Sequence, residues 1–106
     1  MAAHTCQNTQ HATTAGATVD SVVIASYSQI IEVLHRGTAD TLWFTVGPSV
    51  TATTDPVAEA DETYPVLPGT SRVVSWPATS GGVGACVKIL GNTTPYSVMG
   101  LPARAF

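Results

Sequence analysis

The chain has 106 residues, near the size of one domain, and its charge balance of -3 with only four basic residues excludes the clustered phosphate neutralisation that nucleic-acid binding needs. Only 10% of residues are charged while 44% are hydrophobic, and 16 Thr, 13 Val, 9 Gly and 7 Pro suit pleated strands and tight turns better than helices. Such a sparsely charged surface points to cover by a partner, since a solitary soluble domain carries more Lys, Glu, Asp and Arg. No apolar stretch nears the ~20 residues that cross a bilayer, so no membrane partner is expected.

Residues 1–16 show no period of two or of 3.6 and are rich in Thr, Gln, Asn and Ala, which reads as an extended N-terminal arm preceding a β-sandwich domain over 17–106. The opening residues lack the basic and apolar regions of a signal peptide, so a reducing cytosol is the expected place of synthesis, with Cys6 and Cys86 as free thiols.

Residues 17–26 alternate as a first strand, with Val22 and Ile24 on one face and Val19, Ser21 and Val23 on the other. Residues 29–46 read as a β-hairpin across the Gly-containing turn 37–40, and the rest of the chain is organised around it. Ile31 and Val33 with Leu42 and Phe44 are expected in the core. Ile30, Leu34 and Trp43 form the opposite face, which needs a second sheet or a neighbouring subunit to cover it.

Residues 47–62 break the pattern with two prolines and four of the seven acids, a connection long enough to suggest function or mobility. Pro65 demotes the strand at 63–67 to a sheet edge, and Pro68-Gly69 marks a turn. Strands over 72–76, 83–90 and 96–99 bring the total to about seven short strands, an all-β sandwich or small barrel with no internal repeat.

The chemistry-bearing residues form no known reactive constellation. His4, Cys6 and His11 lack the second pair of a structural zinc site, and Asp55, Glu59, Asp61 and Glu62 do not follow the spacing that wraps oxygens around calcium. Cys86 lies in an apolar strand where it reads as a packed small side chain, not the partner of His35 in covalent catalysis. Asn92-Thr93-Thr94 matches a glycosylation acceptor but reads as a β-turn in a cytoplasmic chain. Trp43, Trp76, Tyr64 and Tyr96 suggest a sugar platform less than core and interface anchors. No cofactor and no enzymatic activity are expected.

The runs IIEVLHRGTADTLWFTVG, DETYPVLPGTSRVVSWP and VGACVKILGNTTPYSVMG resemble small β-rich virion proteins of tailed bacteriophages, especially those of actinobacteria, over residues 29–100. The similarity lies in the Arg-Gly-Thr turn at 36–38, the WFTVG run and the TYPVLPG-to-RVV spacing. It implies a capsid decoration or cement protein on the head exterior, bound to the major capsid protein and acting as a homo-oligomer or multivalently. Its contacts are expected from His4, Cys6, Gln10 and His11 of the arm and from Ile30, Leu34 and Trp43 of the exposed face. A tail or head-to-tail component, and a carbohydrate-binding adhesion module, are the alternatives.

Overall fold

The computed structural model describes residues 9–24, 30–48, 55–57, 63–75 and 84–101. Its strands are β1 (Thr9–Thr13), β2 (Val19–Ile24), β3 (Ile30–His35), β4 (Leu42–Pro48), β5 (Tyr64–Val66), β6 (Ser71–Ser75), β7 (Ala85–Leu90) and β8 (Pro95–Leu101). They form two four-stranded sheets, ordered β1-β8-β3-β6 and β2-β7-β4-β5, and every pairing is antiparallel. Eight strands in this order make a jelly roll, in which successive strands alternate between the sheets except at β4–β5, and the first and last strands lie side by side.

The all-β sandwich expected from the sequence is therefore present, with one strand more than counted. The extra one is β1, within the stretch read as an arm. Thr9–Thr13 pair with β8 from Thr9↔Met99 to Thr13↔Pro95, so this segment is an edge strand of the domain itself. Residues 1–8 of that arm, including His4 and Cys6, lie outside the described residues.

Alternation along each strand sends one set of side chains into the gap between the sheets. Ile31, Val33, Tyr96 and Val98 from one sheet meet Val22, Ile24, Leu42, Phe44, Val66, Ala85, Val87 and Ile89 from the other, all at most 1% exposed. Each Val, Ile, Leu and Phe of this set contributes about 1.5–3 kcal/mol by leaving water, so this layer supplies most of the driving force. The expected core set of Ile31, Val33, Leu42 and Phe44 is fully buried.

The expected hairpin is not formed. β3 and β4 lie in different sheets, and residues 36–41 arch from one to the other. What holds the arch is the side chain of His35, buried and facing inward at the end of β3. Gly37 N–H donates to His35 Nδ1 at 2.9 Å, which makes Nδ1 the acceptor and leaves the proton on Nε2, 2.6 Å from the Asp40 carbonyl. The ring thus replaces the ladder bonds that a hairpin turn would have made. Gly37 is needed there because a Cβ would come within 2.8 Å of His35 Cε1.

A second polar link crosses the interior. Tyr96 Oη of β8 donates to Asp20 Oδ2 of β2 at 2.7 Å, joining the two sheets. Burial, then this hydrogen bond to a carboxylate, pushes the phenol well above its ordinary value of 10.0. At the same end Thr14 and Thr94 exchange bonds: Thr14 N to Thr94 O at 3.0 Å and Thr94 N to Thr14 Oγ1 at 2.9 Å. Both are buried, and they close the β1–β2 corner onto the β7–β8 corner. The 67–70 turn has Pro68 first and Gly69 at φ 75°, with Thr70 N–H donating to Leu67 O at 3.1 Å, the type II geometry that the Pro-Gly pair predicts.

Candidate functional site

With the interior assigned, what remains is two outer faces, and they differ. On the β1-β8-β3-β6 sheet the outward side chains fall in rows fixed by the register: Leu101, Ile30 and Ser75; then Met99, Glu32 and Val73; then Ser97, Leu34 and Ser71. Ile30, Leu34, Met99 and Leu101 are half-buried and Val73 is 58% exposed, so aliphatic groups surround the single carboxylate of Glu32. Here β3 supplies apolar residues to both of its faces, the pattern of a strand that expects cover on each side.

The flank of this face is polar and tied down. Arg36 lies along β8, its Nε donating to Ser97 Oγ at 2.9 Å and its Nη2 to the carbonyls of Tyr96 at 3.1 Å and Ala12 at 3.3 Å. Ser97 Oγ, which accepts from Arg36, is also hydrogen-bonded to His11 Nδ1, 2.6 Å away. The pair of a serine and a histidine is thus a clamp of β1 and the arch onto β8. Ser97 is buried beneath its two partners although its strand position points outward. His11 is exposed and Gln10 faces inward beside it, half-buried.

On the β2-β7-β4-β5 sheet the outward rows are Val19, Leu90, Trp43 and Pro65, then Ser21, Lys88 and Thr45, then Val23, Cys86 and Gly47. Residues 55–57 of the long connection come over this face. Asp55 accepts from Lys88 Nζ at 2.9 Å, Pro56 is buried, and Thr45 opposite Lys88 is only 4% exposed. The hydrogen bond to Asp55 raises the Lys88 ammonium above its ordinary 10.5. Of the acids weighed as calcium ligands, Asp55 is thus an ion-pair partner, and Glu59, Asp61 and Glu62 lie outside the described residues.

The candidate interface of the sequence is therefore split. Ile30 and Leu34 share one outer face, while Trp43 stands on the other, between Leu90 and Pro65. The reason is the arch: two strands joined by a hairpin would have shared a sheet, and strands joined by an arch show their outward residues to opposite sides. The aromatic platform is likewise dispersed. Tyr96 is in the core, Tyr64 faces inward with its ring 5.1 Å from that of Phe44 and the Arg72 guanidinium 5.2 Å from its centroid, and Trp43 faces outward. Trp76 lies outside the described residues.

Cys86, read as a packed small side chain, stands half-buried on the outer face of the β2-β7-β4-β5 sheet. His35 belongs to the other sheet and spends both ring nitrogens on the arch. Asn92 and Thr93 form a bend, with Thr94 buried behind it.

No family model matches the chain, and neither a curated protein nor a solved structure is significantly similar to it. At the end of the sandwich an open hollow of about 320 Å³ lies between residues 36–40 and 92–95. Asp40 and Thr93 on its walls have φ of 64° and 49°, the left-handed region that a β-branched residue rarely enters. Among the described residues no group of three His, Cys, Asp or Glu is placed to hold a metal ion, and no helix is long and apolar enough to cross a membrane.

The features that sequence reading missed are Met99, Leu101 and Val73 on the open face, and Arg36 and Ser97 beside it. Period-two alternation carried the signal for the first three. YSVMGL places Met99 and Leu101 on one face once β8 is extended through Leu101.

Proposed function

We propose that the chain is a non-enzymatic structural protein of a bacteriophage virion, a decoration protein that binds the outer surface of the head. The docking surface in this reading is the outer face of the β1-β8-β3-β6 sheet. The observation that carries it is the asymmetry between the faces: Ile30, Leu34, Val73, Met99 and Leu101 stand partly exposed on one, whereas the other has its own Asp55–Pro56 segment laid over it. An apolar patch flanked by polar groups, here His11 and Arg36 with Glu32 at its centre, is a usual form of a protein-binding surface.

The jelly roll agrees with the reading at the level of analogy, because viral capsid domains use it, as do lectins. Many copies on one particle make up in number for weak individual contacts, so a small patch suffices to stiffen a shell. The partner is the major capsid protein, and no nucleic acid or membrane is involved.

Cosedimentation with purified heads assembled without the chain tests this. The wild type is expected to pellet with the heads in numbers that follow the capsid subunits, and Leu34→Glu or Met99→Glu to stay in the supernatant while remaining folded. Binding that survives both substitutions removes this face from the account. A copy number fitting a tail ring favours the tail component, and retention on glycans but not on heads favours the adhesion module.

A further inference from the structure

The β6 edge of the docking sheet carries an inference beyond that reading. A jelly roll of two open sheets has outermost strands, and the protein protects them unequally. β5 is only three residues long and has Pro65 at its centre. β6 has five residues, Ser71–Ser75, with neither Pro nor Lys, and it is the most exposed strand of the fold. Val73 at its centre is 58% exposed. Among the described residues no strand pairs with its free side. Unpaired backbone of this kind is a template for another strand.

The direction of its backbone groups follows from the register. His35 N–H donates to Thr70 O at 2.9 Å, and Gly69 N–H donates to His35 O at 3.1 Å. Stepping by two, Val33↔Arg72 and Ile31↔Val74 are the pairs that exchange ladder bonds. Ser71, Val73 and Ser75 therefore aim their N–H and C=O groups away from β3, toward open solvent.

We propose that β6 pairs antiparallel with β6 of a second copy about a two-fold axis through Val73. The sequence of the strand fits its own reverse. In that register Ser71 faces Ser75 of the other copy and Val73 faces Val73, so small hydroxyls and β-branched side chains meet. Arg72 faces Val74, so the two arginines are not opposed; each guanidinium already turns inward over Tyr64. Ser71, Val73 and Ser75 would exchange their free backbone bonds in both directions.

Such pairing joins two four-stranded sheets into one of eight strands whose outer faces point the same way. The aliphatic patch of one copy then continues into that of the next through the Val73 pair. The dimer presents twice the docking surface on one side, which raises avidity for a repetitive partner. A single strand pair lies below the area of a standard stable interface, so the dissociation constant expected in solution is about 10–1000 µM.

Sedimentation equilibrium of the isolated full chain, from ~10 µM to ~1 mM, tests the pairing without any capsid. The weight-average mass of the wild type is expected to rise from 10.9 kDa toward twice that value. Val73→Pro removes only an outward N–H and keeps the bonds to β3, so it is expected to fold as the wild type does and to associate at least about tenfold more weakly. Val73→Lys sets two like charges opposite each other across the axis and is expected to do the same. A wild type that stays monomeric throughout overturns the proposal. So does dimerisation that both Val73 variants retain, or that Leu34→Glu alone abolishes, since association would then run through the flat of the face. Failure of head binding with dimerisation intact would count against the decoration reading and leave the β6 pairing standing.

Discussion

The two outer faces of this sandwich are built from the same kinds of strand yet end in opposite states. Over β7 and β4 the chain returns on itself, with Asp55 bonded to Lys88, Pro56 buried and Thr45 nearly hidden. Over β3 and β8 nothing among the described residues returns, and the outward aliphatic residues Ile30, Leu34, Met99 and Leu101 are half-buried. The difference teaches that apolar residues on both faces of a strand do not by themselves say which face is covered. The connection that follows the strand decides it.

The sharpest way to test that contrast begins with what the faces share. Phe44→Ala and Ile31→Ala empty the common interior from opposite sheets, and each is expected to cost about 3–5 and about 2–5 kcal/mol respectively, read from denaturant midpoints. If only one proved costly, the sheets would not share a core. Next in size is the arch that sends β3 and β4 to different sheets. His35→Leu leaves the Gly37 N–H and the Asp40 carbonyl without their partner and is expected to cost about 2–3 kcal/mol, with chemical-shift changes confined to the 36–41 segment and its contacts.

The interior link between the sheets has a pH signature. The folded protein holds the Tyr96 proton more tightly than the unfolded chain, whose phenol has the ordinary value of 10.0. Stability from this group is fully present below pH 10.0 and falls above it, by at most about 1.4 kcal/mol per pH unit, as the unfolded state ionises and the folded state does not. Tyr96→Phe is expected to flatten that part of the alkaline limb, while costing about 1 kcal/mol at neutral pH.

Smaller still is the comparison between the faces themselves. Thr45→Lys pushes a charge under the Asp55–Pro56 segment beside Lys88 and is expected to cost about 1–3 kcal/mol, whereas Leu34→Lys on the open face is expected to stay within about 1 kcal/mol. Equal costs would erase the distinction. The smallest effect belongs to the exposed Lys88–Asp55 pair. Lys88→Met is expected to cause a slight loss that vanishes at high salt, and in the wild type the contribution disappears above pH 10.5 as the ammonium loses its proton.

Much of this architecture was legible in the residues. Strand alternation located β2 to β8, Pro65 marked a sheet edge, and Pro68-Gly69 marked its turn. The core around Ile31, Val33, Leu42 and Phe44 followed from period two alone. β1 escaped because its sequence TQHAT, Thr9–Thr13, carries no large apolar side chain, and its place is set by pairing with β8 and by the Thr14–Thr94 clasp, which are long-range. The arch escaped because residues 36–41 are short enough for a hairpin. Only the burial of His35, with both nitrogens turned back to its own loop, distinguishes the two, and a histidine in sequence does not announce which it will do. Trp43 changed faces for that reason alone.

Met99 on one face and Trp43 on the other are both oxidisable, so radical footprinting of the protein bound to heads measures the central claim most directly. The account predicts that Met99 becomes protected on binding while Trp43 reacts as it does in the free protein. Protection of Trp43 with Met99 unchanged would contradict it.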